Sequence, residues 1–261
     1  MIQPLAYVNP QAKLADNVVI EPFVTIHKNV EIEEGTWIGS NVTIMEGARI
    51  GKNCRIFPGA VISAIPQDLK FGGEDTTVEI GDNVTIRECV TINRGTSASG
   101  KTKIGNNCLI MAYVHIAHDC VLGNDVILAN AVQLAGHVEI GDSAIIGGLS
   151  AVHQFVKIGQ HVMVSGGSLV RKDVPPYTKA AREPLSFEGV NSVGLRRRGY
   201  TSEKINEIQD IYRLMFIRGY NNSAAIAKIE NEMPATKERD EIIQFIRESD
   251  RGIMKGYISR G

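Results

Sequence analysis

Every sixth residue of this chain is a branched aliphatic over most of its length. From Val8 to Val170 the series has 28 positions, and 25 are Ile, Leu or Val; Asp68, Glu74 and Ala98 are the exceptions. The other places of the hexad are patterned too. Four residues after the aliphatic stands a small or β-branched residue, as at Val18, Val42, Ala48, Val84, Val126 and Ala144. Gly often follows it directly, as at Gly39, Gly81 and Gly123, and Asn, Gly or Asp stands three after, as at Asn29, Gly35, Asn53, Asn107 and Asp125.

An α-helix tolerates neither this load of Gly and Asn nor an apolar period of six. Short Val- and Ile-rich strands, broken by residues that accept a left-handed backbone, describe a chain that turns a corner every six residues. Stacked coils of such a chain bury a continuous aliphatic column. The period thus predicts a parallel β-helix. Cys54, Cys108 and Cys120 fall on the small inward place, where they read as buried hydrophobes. No C-x-x-C pair exists for zinc or redox chemistry.

Two excursions interrupt the hexads without losing the frame: Ser63 to Glu79, with Asp68 and Lys70, and Asn93 to Lys103, rich in Gly, Ser and Thr. Long loops in a compact repeat are more often functional than accidental. After Pro175-Pro176 the period stops. The expected division is a β-helix over residues 1–176 and a small C-terminal α-helical domain over 177–261. Capping residues and apolar spacing predict helices over Thr201 to Ile217, Ser223 to Glu232 and Thr236 to Glu248, the last two separated by Met233-Pro234. This tail should also cover the strand edges of the last coil.

A net charge of −1 over 261 residues supplies no global field for nucleic acid or for an anionic membrane. The N-terminus lacks the pattern of a signal peptide, and no apolar run is long enough to span a bilayer. The expectation is a cytoplasmic protein without stable membrane insertion and without nucleic acid as a partner.

Four of the six histidines cluster in one stretch of the chain, at His115, His118, His137 and His153. If three hexads make one coil, positions 118, 136 and 154 stack on successive rungs about 4.8 Å apart. His118 then lies over Gly136-His137, and these over His153-Gln154. All four avoid the inward places. Isolated, each reads as a surface histidine or a corner residue; stacked, they read as a site. Three histidines between subunits bind zinc in some hexapeptide-repeat proteins, but the spacing here differs from that arrangement, and neither metal nor cofactor is expected.

The runs His115-Ile116-Ala117-His118-Asp119-Cys120, Leu134-Ala135-Gly136-His137 and Ala151-Val152-His153-Gln154-Phe155 closely resemble the UDP-N-acetylglucosamine O-acyltransferase family. So do Gln67-Asp68-Leu69-Lys70, Ile92-Asn93-Arg94-Gly95-Thr96, Asp173-Val174-Pro175-Pro176-Tyr177 and Arg197-Arg198-Gly199, over essentially the whole chain. The resemblance implies triangular coils of unusual left-handed winding, a homotrimer, and transfer of a 3-hydroxyacyl group from acyl carrier protein to the glucosamine 3-hydroxyl of UDP-N-acetylglucosamine, the first step of lipid A biosynthesis. It implies His118 as general base, the Gly136 N–H as oxyanion donor, and Asp119 as partner of His118. Neighbours on a strand point to opposite faces, which tells against that last pairing.

By the same resemblance Asp68, Lys70, His115, His137, His153 and Gln154 contact substrate, Asn191, Arg197 and Arg198 assist nucleotide or carrier-protein binding, and Gly166 leaves the acyl groove open for a long chain. Val193 and Pro184 depart from common family patterns. An acetyl-CoA-dependent relative, the N-acyltransferase later in the pathway, and a non-catalytic β-helix subunit are the alternatives. That N-acyltransferase carries an extra N-terminal domain, for which repeats beginning at Val8 leave no room. The histidine stack argues against a non-catalytic role.

Overall fold

A computed structural model describes residues 1–256. Residues 257–261 of the expected C-terminal domain lie outside the described residues. Strands mostly two residues long recur every six positions and sort into three parallel sheets, each taking every third strand of the coil. The first face runs from Tyr7–Val8 to Leu169–Val170, the second from Lys13–Leu14 to Lys157–Ile158, and the third from Val19–Ile20 through Met163–Val164 into the C-terminal strands. Thr25 pairs with Thr43 and Ile127 with Ile145, so three hexads complete one coil. The chain is a left-handed parallel β-helix followed by helices, as the hexads and the resemblance together led us to expect.

Two-residue strands cannot hold themselves together, so stability comes from stacking. The hexad aliphatics Ile20, Ile44, Ile62, Ile86, Ile110 and Ile146 are fully buried in the interior of the coils. Truncating such a residue to Ala costs about 2–5 kcal/mol. Cys54, Cys108 and Cys120 lie in the same core, and burial pushes the Cys120 thiol up to about 12.

The corners explain the Asn and Gly pattern. A left-handed φ recurs three residues after the aliphatic, for example at Asn29, Asn53, Asn107, Asp119 and His137. Asn and Asp carry the smallest penalty there after Gly.

Beyond Pro176 the structure departs from the expected helical tail. Thr178–Ala181 continues the third sheet parallel to Met163–Val164, and Ser186–Val190 folds back antiparallel to it. Val164 pairs with Ala180, short of the three-hexad advance, so this strand lies off the sixfold frame. Among the described residues four helices follow: α1 (Ser192–Arg197), α2 (Ser202–Phe216), α3 (Asn222–Glu232) and α4 (Lys237–Arg247). The last three match the expected helices; α1 and the hairpin were not anticipated. Thr201, Asn221 and Thr236 cap α2, α3 and α4 through their side-chain oxygens. The helices bury their own apolar cluster around Ile208, Ile211, Tyr212 and Ile229 against Tyr177 and Val190.

Candidate active site

Both excursions leave the first face and return on the second, so each replaces a corner along one edge of the prism. The same edge carries His118-Asp119, Gly136-His137 and Gln154-Phe155 on successive coils. Thr76 Oγ1 donates to the Gly95 carbonyl at 2.6 Å, which ties the first excursion to the second. Asp68 caps a turn within the first loop, accepting from the Lys70 N–H at 3.0 Å, and the Lys70 side chain is exposed.

His118 and Asp119 are corner residues, which removes the objection that strand neighbours diverge. With Asp119 at φ +59° its carboxylate curls back, and His118 Nδ1 lies 2.7 Å from Asp119 Oδ2. An ionised carboxylate can only accept, so Nδ1 carries the proton and Nε2 presents a lone pair. The Asp119 side chain has no solvent exposure. Burial works against its charge, but donors from Ser99, His118 and Thr96 outweigh it and hold the carboxyl down at about 2. Oδ1 accepts from the Thr96 N–H at 3.0 Å and from the Ser99 hydroxyl, and Oδ2 from the Thr96 hydroxyl at 2.7 Å.

Gly136 lies directly against the imidazole. A β-carbon built on it would stand 2.6 Å from His118 Cε1 and 2.7 Å from Nε2. Among the described residues no acceptor takes its N–H. His137 packs edge-on against His118 at 5.1 Å and stacks on Phe155 at 4.5 Å. His115, on the first face, has its Nδ1 2.7 Å from Thr91 Oγ1; burial, then the adjacent His118, push its basicity down. His153 and Gln154 are exposed on the next coil. A cleft of about 590 Å³ opens beside this edge, lined by Ser99, Asp119, His137, Phe155, Lys157 and Arg251.

Ligand atoms of His118, Asp119 and His137 lie within 4.8 Å of one another. The donor set does not suit a metal: His118 Nδ1 and the Thr96 and Ser99 groups already occupy the Asp119 oxygens. The arrangement suits a neutral imidazole, fixed in one tautomer, that takes a proton beside an unengaged backbone donor.

The remaining expected residues lie elsewhere on the prism. With the edge of His118 counted as the first, Asn191 and Arg198 sit at the second edge, between the second and third faces. The buried Asn191 side chain donates to the His161 carbonyl at 2.9 Å and accepts from the Gly194 N–H, while Arg198 donates to the Ser143 carbonyl at 3.1 Å. Arg197 is exposed on α1. Gly166 is exposed at the third edge, between the third and first faces, where an added β-carbon would stand 3.1 Å from the Gly148 carbonyl oxygen. One chain therefore does not bring Asn191, Arg197, Arg198 or Gly166 to His118. Sequence reasoning missed Thr96, Ser99, Thr91 and Phe155. Thr96 and Phe155 stood inside recognised motifs and Ser99 inside the second excursion, but side-chain direction in a loop is not readable from spacing.

A family model described as UDP N-acetylglucosamine O-acyltransferase, domain 2, matches residues 173–254, and one for bacterial transferase hexapeptide repeats matches 29–64 and 101–136. The acyl-[acyl-carrier-protein]–UDP-N-acetylglucosamine O-acyltransferase of Sulfurihydrogenibium sp. is 52% identical, over 97% of this chain and 93% of its own length. That of Thiobacillus denitrificans is 43% identical, over 97% of this chain and 99% of its own. Among solved structures, LpxA of Bacteroides fragilis, a UDP-N-acetylglucosamine acyltransferase, superposes with a TM-score of 0.96 at 51% identity, covering 98% of this chain and 100% of its own. The Arabidopsis UDP-N-acetylglucosamine acyltransferase superposes with a TM-score of 0.85 at 33% identity, covering 98% and 100%.

Proposed function

The chain belongs to the UDP-N-acetylglucosamine O-acyltransferase family and is an enzyme of that kind; on that premise we propose that it moves a 3-hydroxyacyl group from acyl carrier protein to the glucosamine 3-hydroxyl, the first step of lipid A biosynthesis, with His118 as general base. The observation that carries this reading is the His118 imidazole, held through Nδ1 by Asp119 while its Nε2 edge lies against Gly136.

A sugar hydroxyl is a weak nucleophile near neutral pH. His118 Nε2 takes its proton as the oxygen attacks the thioester carbonyl, a role typically worth about 10²- to 10⁴-fold in rate. Asp119 stabilises the imidazolium that forms and keeps the tautomer fixed. Negative charge then collects on the carbonyl oxygen, where the Gly136 N–H can meet it. Collapse of the tetrahedral intermediate breaks the carbon–sulfur bond, and the imidazolium returns the proton to the departing thiolate. Asp68, Lys70, His115, His137, His153 and Gln154 lie along the same edge or its flanking face and are assigned to the substrate around the base.

Asn191, Arg197, Arg198 and Gly166 can join this site only from another subunit, since they occupy other edges. A homotrimer with sites between subunits meets that requirement, and it supplies the second wall that a flat coil lacks. The exposed Gly166 leaves room at the neighbouring edge for a long acyl chain. Transfer rates from carrier-protein donors of graded length test this, and a best donor of about ten carbons would refute it.

The deciding experiment mixes purified protein with UDP-N-acetylglucosamine and 3-hydroxyacyl carrier protein and repeats the assay with His118→Ala. Product formation with the native chain and a loss of about 10²-fold or more in the variant are expected. Activity that survives the substitution overturns the mechanism.

A further inference from the structure

In the second excursion Asn93, Arg94 and Lys101 bond to the Ile65 carbonyl, the Glu46 carbonyl and Glu79, while Thr96 and Ser99 turn onto one atom group, the Asp119 carboxylate. Four donors converge there: the Thr96 N–H, the Thr96 hydroxyl, the Ser99 hydroxyl and His118 Nδ1. Thr102 adds a fifth tie, its Oγ1 accepting from the Asp119 N–H at 2.9 Å, which fixes the left-handed corner itself. Two short hydroxyl side chains of the loop thus meet at Asp119; the Ser99 hydroxyl also lies 3.0 Å from the Lys101 carbonyl, which holds it at the turn.

We infer that Ser99 and Thr96 are positioning residues of the catalytic apparatus, which aim the Asp119 carboxylate at His118 Nδ1 and set how much of its negative charge reaches the imidazole. The inference rests on the reading of His118 as the base. Its physics is simple. A carboxylate shared among four donors spreads its charge over all of them, so each added donor weakens the pull on the other protons. Removing the Ser99 hydroxyl leaves more charge facing His118, which stabilises the imidazolium relative to the neutral base.

The acid limb of the pH–rate profile, where His118 protonates, then moves to higher pH. Two other imidazoles face the dyad: His115 on the first face, and His137, whose Nε2 is 3.7 Å from Asp119 Oδ2. The adjoining cleft adds Glu139 and Lys157 from the second face, Asp173 from the last coil, and Asp250 and Arg251 from the C-terminal segment. None of these is altered by the substitutions below, so their contribution is common to every profile compared.

The test is the pH dependence of kcat and KM for the native chain, Ser99→Ala, Ser99→Thr and Thr96→Val, with His118→Ala as the control. Ser99→Ala is expected to raise the acid limb of kcat by about half to one pH unit and to lower kcat near neutrality several-fold, with KM for UDP-N-acetylglucosamine within about twofold. Thr96→Val, which deletes the other hydroxyl but keeps the shape, should shift the limb the same way. Ser99→Thr restores the hydroxyl and should return the limb to its native place. An unshifted limb in both deletion variants overturns the inference, as does a shift that Ser99→Thr fails to reverse. An active His118→Ala variant removes the base reading as well, and so separates the two failures.

Discussion

Gly136 and His118 are in contact across adjacent coils, so close that a side chain on the glycine must displace the ring: its β-carbon would stand 2.6 Å from the imidazole. The constraint is spatial, since no left-handed φ is required at Gly136. Gly136→Ala should therefore fold with a melting temperature close to native, yet lose about 10²-fold in kcat because the ring is displaced. Thermal unfolding and steady-state kinetics on one preparation check both halves. An alanine variant of native kcat would show that the ring is free to move.

Asp119→Asn should separate fold from chemistry at the neighbouring corner. Asn accepts the left-handed φ of +59°, so the coil is kept. Its amide can donate as well as accept, which frees His118 to adopt the wrong tautomer, and a loss of about 10²- to 10⁴-fold in kcat is expected.

The same carboxylate should contribute to acid stability. Its pKa is depressed from 3.8 to about 2 in the folded protein, so its stabilisation is complete above the unfolded value and is lost as pH falls through about 2. The shift corresponds to about 2 kcal/mol at neutral pH. Denaturant unfolding between pH 5 and pH 2 should show the native chain losing more stability than Asp119→Asn; parallel curves would contradict the buried, hydrogen-bonded state of the group.

Subunit sharing predicts complementation. His118 lies at the first edge and Arg198 at the second, bonded to the Ser143 carbonyl. His118→Ala and Arg198→Ala chains, each impaired alone, should regain about a quarter of native activity when co-assembled at equal amounts, because one site in four then draws both intact residues from different subunits. Activity no better than the separate variants, with mixed assemblies demonstrated, would place both residues in one chain's site.

Thiol accessibility should follow the hexad. Burial raises the Cys54 and Cys108 thiols to about 11 and Cys120 to about 12, while Cys89 is exposed at a corner. A thiol-reactive chromophore should label no more than one cysteine of the native protein and all four after denaturation.

Much of this was written in the chain. The β-helix, its inward column and its left-handed corners follow from a period of six, because a strand-and-corner unit of that length leaves every sixth side chain facing the same interior. The three longer helices followed from their caps and apolar spacing, and the stack of His118 over Gly136 from a coil of three hexads. The hairpin after Pro176 did not, since the pairing of Val164 with Ala180 falls short of a full coil and leaves the frame that made the rest legible.

Only tertiary structure decided how the site is built. Spacing said that His118 and Asp119 are neighbours; that they meet depended on both lying at a corner, where a positive φ turns the carboxylate back onto the ring. Spacing marked the second excursion as an insertion; that Thr96 and Ser99 point at Asp119 depended on a loop path that carries no period. Most tellingly, residues that the motifs grouped together fall on three different edges. A repeat fixes which residues share an edge, because that depends on local geometry alone. Which edges meet depends on how whole coils pack, and no sixfold pattern records it.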